Sequence, residues 1–292
     1  MNIENPYAGM ETRQWLRGNL HAHTTASDGR KPIQDVINSY ATLGYDFLMI
    51  SDHDIVTGPA DYAKLDPRGL ILIPGNEVTR NGPHLLHVGA DQRIEPDADR
   101  QLVINAINAG PGFAVINHPN WEHDFNHWSF DQLDEWQNYL GMEIFNGTIG
   151  RLDGSPYATD KWDRLLSRGR RIWGFANDDS HLPVEDVGLG WNMVGTTDRS
   201  VAGLMDAMRR GCFYGSTGVN ITAIAVTGNR IRVETENADR ILAYHQTGME
   251  FARVDANAIE IEVPTRARYV RFECLGRGGR AAWTQPFYLE AE

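Results

Sequence analysis

Two histidines separated by one residue, His21 and His23, lie in the stretch from Asn19 to Gly29. They come at the end of a predicted strand, Trp15–His21, and alternate side chains of a strand share a face, so both imidazoles point the same way. Two neutral imidazoles in this arrangement can bind one divalent cation if acidic or further imidazole ligands arrive from elsewhere in the chain. An isolated pair of this kind is more often two ordinary polar residues, so the metal hypothesis depends on such partners.

Predicted strands and helices alternate along residues 1–217. After the first strand, continuous apolar runs predict the strands Asp46–Asp52, Leu70–Pro74, His84–Ala90, Phe113–Asn117, Met142–Phe145, Ile172–Ala176 and Trp191–Thr196. Helical spacing predicts the helices Pro32–Leu43, Arg100–Ala109, Phe130–Tyr139, Thr159–Ser167 and Val201–Arg209. This alternation is typical of a parallel sheet covered by helices, and this many units predict closure into a barrel.

Residues that can bind metal follow five of these predicted strands. The groups are His21 and His23, Asp52-His53-Asp54, Glu77, His118, and Asp179-Ser180-His181. In barrels of this class the chemistry lies at the carboxyl ends of the strands, where all five groups are expected to meet. A surface loop would more commonly offer Gly, Ser, Asn or Lys, so the sequence predicts a joint metal site.

Residues 218–292 have a different pattern, because apolar residues there alternate with polar ones. Gly228-Asn229 separates the alternating runs Ile221–Val226 and Ile231–Thr235 and predicts a hairpin. Later strands are expected at Ile241–Tyr244, Ile259–Val263, Tyr269–Cys274 and Phe287–Glu290. We therefore expect a small antiparallel β-sandwich domain at 218–292 that packs against the barrel of residues 1–217 and shapes its mouth. An independent binding module is the alternative.

Charge and composition limit the classes of partner. The net charge is −12, and residues 1–217 contain 18 Lys and Arg against 29 Asp and Glu. An acidic surface repels a phosphate backbone, which argues against nucleic-acid binding and favours a small-molecule substrate. No segment approaches the roughly 18 apolar residues of a membrane span, and the first residues lack a basic region followed by an apolar run. The two cysteines indicate idle thiols in a reducing compartment, so we expect a soluble cytoplasmic protein without a membrane partner.

The ordered set of candidate ligands resembles that of the polymerase and histidinol phosphatase (PHP) superfamily of metal-dependent hydrolases. The residues that carry the resemblance, between residue 18 and about residue 216, are His21, His23, Asp28, Asp52-His53-Asp54, Glu77, His118-Pro119, Asp179 and His181. The resemblance implies a distorted (β/α)7 barrel, an α/β fold, with two or three divalent metals at its mouth. Asp28 stands where many members carry histidine, so zinc, manganese and iron all remain open.

The resemblance also implies which residues would hold each metal. His21, His23, Glu77 and Asp179 would hold one, and Asp28, His53 and His181 would hold another. Glu77 would bridge the first metal to one held by His118 and a histidine of the fourth strand.

Either His84 or His87 is that fourth-strand ligand. Their positions differ by three, an odd step, so in a regular strand they face opposite ways. We favour His84.

The C-terminal part also resembles part of this superfamily. Short members end in a small β domain after a run like that at 211–218, and close with a motif like Ala282-Trp283-Thr284-Gln285-Pro286. The resemblance implies a phosphoesterase or an aryl carbamate hydrolase.

Three functions follow as hypotheses. A phosphoesterase for a small organic phosphate is favoured, a carbamate or ester hydrolase with the same metal centre is the alternative, and a non-catalytic proofreading or regulatory module is the third. Proposed catalytic residues are Arg30, as a substrate clamp, and His53 or His181, as the acid that protonates the leaving group. Other candidate clamps and rim residues are Lys31, Arg151, Trp121, His123 and His127. The sequence leaves the substrate, the metal and the oligomeric state open.

Overall fold

The computed structural model describes residues 2–10, 14–182 and 184–290. In chain order, its strands are β1 (Asn2–Glu4), β2 (Gln14–Asn19), β3 (Phe47–Met49), β4 (Ile71–Ile73), β5 (Gly75–Val78), β6 (Leu85–Val88), β7 (Phe113–Ile116), β8 (Gly141–Asn146), β9 (Trp173–Asn177), β10 (Trp191–Thr196), β11 (Phe213–Ser216), β12 (Ile221–Thr227), β13 (Arg230–Thr235), β14 (Ala238–His245), β15 (Met249–Val254), β16 (Ala258–Glu262), β17 (Tyr269–Gly276), β18 (Ala281–Thr284) and β19 (Phe287–Glu290). The α-helices are α1 (Ile33–Thr42), α2 (Pro59–Tyr62), α3 (Arg100–Asn108), α4 (Phe130–Glu135), α5 (Thr159–Ser167) and α6 (Val201–Arg209).

The strands form three sheets. The largest has eleven strands and runs in the order β1-β19-β17-β18-β11-β10-β2-β3-β4, with β14 added to β17 and β15 added to β14. A second sheet has the order β5-β6-β7-β8-β9, and a third has the order β12-β13-β16. Pairing is parallel for β2-β3-β4 and for β7-β8-β9, where helices cover the sheets.

The predicted α/β class agrees with this architecture, but a closed (β/α)7 barrel is not confirmed because the sheets do not close. Strand β6 is antiparallel to both β5 and β7, and β10 is antiparallel to β2. The short loop before β6 explains why this strand is antiparallel to β5, since only residues 79–84 connect the two strands. A parallel connection needs a crossover of about a dozen residues or more, whereas a short loop gives an antiparallel pair.

Single backbone bridges connect the two larger sheets where their strands end. Ala22 bridges Ser180 and His53 bridges Glu77, both in the parallel sense. The amide of His23 donates to the carbonyl of Ser180 at 2.9 Å. The ends of β2, β3, β5 and β9 therefore converge on one place although no continuous ladder encircles it.

The main apolar core fills the space between these sheets and the helices. Phe47 of β3, Val115 of β7, Trp162 of α5 and Phe213 of β11 all belong to it and are fully buried. A strand with one covered face has alternating apolar and polar residues, and a strand with both faces covered is apolar throughout. Both patterns are visible in the sequence, which is why most predicted strand positions agree with the structure. No helix of the described ranges is long and apolar enough to cross a membrane.

The C-terminal strands continue the large sheet and also face the three-stranded sheet. β18 pairs with β11, and Ile231 of β13 shares a second apolar cluster with Phe272 of β17. A separate β-sandwich domain stays a prediction. Buried polar contacts add to this junction. Arg271 donates to both carboxylate oxygens of Asp163 on α5, at 2.7 and 2.5 Å. The proposed division between residues 217 and 218 falls between β11 and β12 and stays a prediction.

Candidate metal centre

The structure brings together all nine residues that the sequence proposed as metal ligands. They come from the ends of strands in both larger sheets. His21 and His23 follow β2, Asp28 lies in the next loop, His53 follows β3, Glu77 lies inside β5, His84 directly precedes β6, His118 follows β7, and Asp179 and His181 follow β9. Two expectations change in detail, because Glu77 occupies a strand of its own and His84 lies at the amino end of its strand. The reversed direction of β6 is what turns that amino end toward the other ligands.

Glu77 lies at the middle of the cluster and is fully buried. Its Oε1 lies 3.2 Å from His84 Nδ1, 3.3 Å from His118 Nε2 and 3.4 Å from His21 Nε2. Its Oε2 lies 2.7 Å from His53 Nδ1. One carboxylate thus faces imidazoles from four other segments, which is the position that a bridging ligand requires.

Asp179 completes a second part of the cluster. Its Oδ1 lies 3.1 Å from His21 Nε2 and 3.1 Å from His23 Nε2. The three residues offer ligand atoms that all lie within 4.8 Å of one another. The His-x-His spacing predicted this pair of imidazoles on one face, and the segment after β9 supplies the acidic partner that the metal hypothesis needs.

The third part of the cluster is the most open to solvent. Asp28, whose side chain is 55% exposed, lies 3.3 Å from His53 Nε2 and 3.3 Å from His181 Nε2. His23 Nδ1 approaches the same carboxylate at 3.7 Å, so His23 borders two parts of the centre. Asp52 accepts hydrogen bonds from the Thr24 amide at 2.7 Å and fixes the loop that carries Asp28.

Buried polar atoms in the cluster fit a bound cation. His21 Nε2, His23 Nε2, His84 Nδ1 and Glu77 Oε2 have no hydrogen-bond partner among the described residues. Leaving such atoms unpartnered in a protein interior costs free energy, and a coordinated ion would satisfy them together. Imidazole and carboxylate donors suit zinc, manganese and iron(II). The residues present therefore fit divalent metals at this place.

The carboxylates also change the protonation of the imidazoles. Burial disfavours the charged form of His53, but Asp28 and Glu77 outweigh burial and raise its pKa to about 10. Burial likewise opposes protonation of His21, whose pKa is nevertheless raised by Asp179, Glu143 and Glu77. The site thus favours positive charge, whether it is carried by protons or by metal ions.

Glu143 on β8 is a functional candidate that the sequence reasoning missed. Its Oε1 accepts a hydrogen bond from His21 Nδ1 at 2.8 Å, and its Oε2 accepts one from the His118 amide at 2.8 Å. Asn177 and Asn146 donate to the same two oxygens at 2.9 and 2.8 Å. The Nδ1 proton of His21 is thereby fixed, which leaves Nε2 free to face the centre. A lone charged residue within the apolar run 142–145 was the available signal.

Of the two fourth-strand histidines, only His84 faces the centre. The ring of His87 lies on the other side of β6, where both its nitrogens are buried without a partner among the described residues. Burial lowers the pKa of His87 to about 4. The placement follows the odd spacing, while the role of His84 as a ligand stays a prediction.

His127 does not line the cavity but forms a hydrogen bond with the backbone of His84. Its Nε2 accepts a hydrogen bond from the His84 amide at 2.9 Å, and its Nδ1 lies 3.0 Å from Glu122. Burial, together with the charges of His118 and His84, lowers the pKa of His127 to about 2. A neutral ring is what an acceptor at Nε2 requires. His123 is exposed and does not line the cavity either.

A cavity of about 290 Å³ opens onto the cluster. Arg30, Arg151 and Trp121 line it, whereas Lys31 does not and donates to Ser39 at 2.9 Å. Arg151 is engaged with both carboxylate oxygens of Asp186, at 2.8 and 2.7 Å. Arg30 is exposed and forms no ion pair within the described part of the chain. Of the three predicted clamps, Arg30 is therefore the one in position to meet an anion.

Comparisons with known proteins concern the fold. No family model matches the chain, and no curated protein matches it. A solved two-domain protein from Bacteroides vulgatus, which contains a predicted PHP-like metal-dependent phosphoesterase, aligns with 97% of this chain and 89% of its own, at 14% identity and a TM-score of 0.59. The likeness concerns the fold and extends over nearly the whole chain.

Two further solved structures are less similar. A proposed metal-dependent phosphoesterase from Bifidobacterium adolescentis covers 56% of this chain and 87% of its own, at 16% identity and a TM-score of 0.42. An amidohydrolase from Chromobacterium violaceum covers 58% of this chain and 89% of its own, at 16% identity and a TM-score of 0.43. Scores this low support no argument about the present chain.

Proposed function

We propose that this chain is a PHP-type metal-dependent hydrolase and that its substrate is a small organic phosphate ester. The observation that carries the proposal is the position of Glu77, a buried carboxylate surrounded by imidazoles from separate strand ends whose ring nitrogens lack other partners. Burial of these polar atoms without partners would cost much free energy if they had only a structural role. The cost would be far lower if the atoms bind metal ions.

In this proposal the cluster holds two or three ions. His21, His23, Glu77 and Asp179 would hold the first ion, Glu77, His84 and His118 the second, and Asp28, His53 and His181 the third. Divalent ions in such a site activate water and stabilise the charge that develops in a displacement at phosphorus. Zinc, manganese and iron remain the candidates.

The chain's own residues supply orientation and protons. Glu143 holds the ring of His21, and Asn117 donates to Glu77 Oε1 at 2.6 Å, so the ligands are fixed before substrate binds. His181 donates from Nδ1 to the carbonyl of Asp179 at 2.8 Å, which leaves Nε2 facing Asp28 and the cavity. If the third group carries no ion, His181 can protonate the leaving oxygen from Nε2, as can His53 from its own Nε2.

Arg30 favours a phosphate over a neutral substrate. It follows the Asp28 loop, and its amide donates to the carbonyl of His181 at 2.9 Å, so its side chain starts beside the open part of the centre. A guanidinium in this position can donate two parallel hydrogen bonds to a phosphate dianion. The acidic chain repels polyanions elsewhere, which supports a small substrate and no nucleic-acid partner.

A carbamate or carboxylic ester hydrolase is the second candidate. The observation in its favour is the engagement of Arg151 by Asp186, which leaves Arg30 as the unpaired arginine of the cavity within the described residues. A phosphate dianion usually has more than one cationic side chain beside the metals, whereas a neutral carbonyl substrate needs none. We also propose a reducing compartment such as the cytoplasm, since Cys212 and Cys274 are both buried thiols that form no disulfide within the described residues.

An assay of two p-nitrophenyl esters separates the candidates. Protein reconstituted with metal should hydrolyse the phosphate, and Arg30→Met should lower kcat/KM for it by about 10- to 100-fold, the loss expected for a charge-assisted contact. Lys64→Met, a change of a cation that is 73% exposed on the surface, should have no effect and serves as the control. Hydrolysis of an N-methylcarbamate without hydrolysis of the phosphate would overturn the first candidate in favour of the second.

A further inference from the structure

One side of the cavity is an apolar wall, formed by Trp121, Ile149 and Leu152. The two loops that carry these residues lie side by side, because Trp121 bridges Gly154 in the antiparallel sense. The ring of Trp121 lies beside the second ligand group, with ring centres 5.1 Å from His118 and 5.7 Å from His84. Ile149 and Leu152 come from the turn after β8. All three side chains line the same cavity as candidate ligands such as His84 and His118, so a substrate held at the cluster also reaches this wall.

Buried polar contacts hold the wall in place. Lys161 of α5 is buried, and its ammonium group donates to the carbonyls of Pro119, Phe125 and Trp128 at 2.9, 2.9 and 2.6 Å, which clamps the loop that carries Trp121. Thr148 donates to the carbonyl of Asp179 at 2.5 Å and ties the second loop to the ligands. The apolar surface is therefore preformed, as specific small-molecule pockets usually are.

Charge is distributed unequally across the cavity. Arg30 lies on the side of Asp28 and His181, whereas the only arginine near the wall among the described lining residues is Arg151, which is turned to Asp186. The wall offers few hydrogen-bond partners, chiefly the indole N–H of Trp121. Hydroxyl groups of a sugar or polyol placed there would lose their water without gaining partners.

We propose that the substrate is a phosphate monoester of an apolar alcohol about the size of a single ring, with its phosphate toward Arg30 and its apolar group on the wall. This inference rests on the proposed phosphoesterase function and adds the class of leaving group to it. The cavity volume of about 290 Å³ is at the small end of ligand pockets, which agrees with a substrate of one ring.

Benzyl phosphate and glycerol 1-phosphate test this selectivity, since both release an alkoxide and differ mainly in the polarity of the leaving group. We expect kcat/KM for the benzyl ester to be higher by at least about 30-fold, within the range typical of apolar pockets. A binding measurement separates recognition from chemistry. In calorimetry on metal-reconstituted protein, benzylphosphonate should bind at least about 10-fold more tightly than methylphosphonate.

Variants connect the preference to the wall. Trp121→Ala and Leu152→Asn should each reduce both ratios by about 10-fold, and Leu152, at 42% exposed, tolerates the change without loss of folding. Phe125→Ala is the matched control, because Phe125 belongs to the same loop, is 51% exposed and does not line the cavity. It should leave both ratios unchanged.

The outcomes distinguish this inference from the proposed function. Equal kcat/KM for the two phosphates, or ratios that survive both wall variants, would overturn the apolar leaving group while the phosphoesterase proposal stands. Preference for benzylphosphonate without hydrolysis of either phosphate would support the wall as the recognition surface and overturn the phosphoesterase proposal.

Discussion

Nδ1 of His21 lies 2.8 Å from Oε1 of Glu143, a carboxylate that is fully enclosed behind the ligand cluster. His21 follows β2 of one sheet and Glu143 lies in β8 of another, so the contact fixes one sheet against the other at the site. Because the second oxygen of Glu143 holds the His118 amide, one side chain orients ligands of two proposed ions.

Glu143→Gln should therefore weaken metal binding without unfolding the protein. The amide nitrogen of glutamine would face an N–H donor in either orientation, since both carboxylate oxygens accept hydrogen bonds. We expect metal affinity to fall about 10- to 100-fold, the usual range for groups that support ligands. A titration against a chromophoric chelator measures the affinity. Glu95→Gln, on the surface with 78% exposure, is the control, and equal affinities of the two variants would exclude this role.

Glu77→Gln should be the most damaging single change among the ligands. It keeps the size of the side chain but removes the negative charge that faces His21, His53, His84 and His118. We expect the metal content to fall by more than one ion per chain and hydrolysis to fall by at least about 100-fold. Elemental analysis and steady-state kinetics measure the two losses. Full metal content in this variant would show that Glu77 does not bridge.

His84→Ala and His87→Ala should separate the two fourth-strand histidines. The first change removes a ring 3.2 Å from Glu77, whereas the second removes a ring that faces Gly112 on the far side of the strand. We expect His84→Ala to lose the second ion and most activity, and His87→Ala to retain both. Metal content after dialysis gives the ranking, and the opposite ranking would mean that the proposed ligand is the wrong one.

Metal affinity should rise with pH. In protein stripped of metal, burial opposes a proton on His53, but Asp28 and Glu77 raise its pKa to about 10. The ring is therefore protonated at pH 7, and a proton must leave before it can bind an ion. Affinity should increase between pH 7 and about 10 and level off above that pKa. Calorimetry in two buffers of different ionisation enthalpy counts the released protons. No proton release in either buffer would contradict the assignment of His53.

Asp163→Ala should destabilise the whole chain. Arg271 is buried and its pKa is raised, against the effect of burial, mainly by the charge and hydrogen bonds of Asp163. Loss of the carboxylate leaves the buried cation with only the longer contact to Glu273, at 3.6 Å, and breaking a buried pair typically costs about 3 to 5 kcal/mol. Urea unfolding measures the change. Asp255→Ala breaks the exposed pair with Arg240, whose charges are screened by water, and should change the free energy of unfolding far less. Equal losses would show that the buried pair does not stabilise the junction.

Residue periodicity predicted local elements well and strand direction poorly. The bounds of α5, α6 and β10 agree with the sequence prediction because each is a clear periodic or continuous apolar segment. Periodicity shows which face is buried but contains no information on direction, so the antiparallel β6 was predicted as part of a parallel barrel. Loop length was the better signal there.

The candidate site was predicted more fully than the barrel. Candidate ligands such as His118 and Asp179 were recognised because they come two residues after the ends of the apolar strands β7 and β9, and their role in metal binding stays a prediction. Glu143 was missed because its partners, His21 and the His118 amide, are distant in sequence, and only the fold brings them within hydrogen-bond distance. Similarly, the pairing of Arg151 with Asp186 depends on a loop conformation that residue type and spacing do not specify.

Helix α5 carries Lys161 and Asp163, which contact the loop of Trp121 and the C-terminal Arg271 respectively. Successive residues of an α-helix are rotated by about 100°, so inserting or deleting one residue between them would turn one side chain away from its partner. Surface loops tolerate changes of length far better. In natural or laboratory evolution, residues can therefore be gained or lost at the loop tips. The spacing between Lys161 and Asp163 on α5 has to stay constant for both contacts to survive.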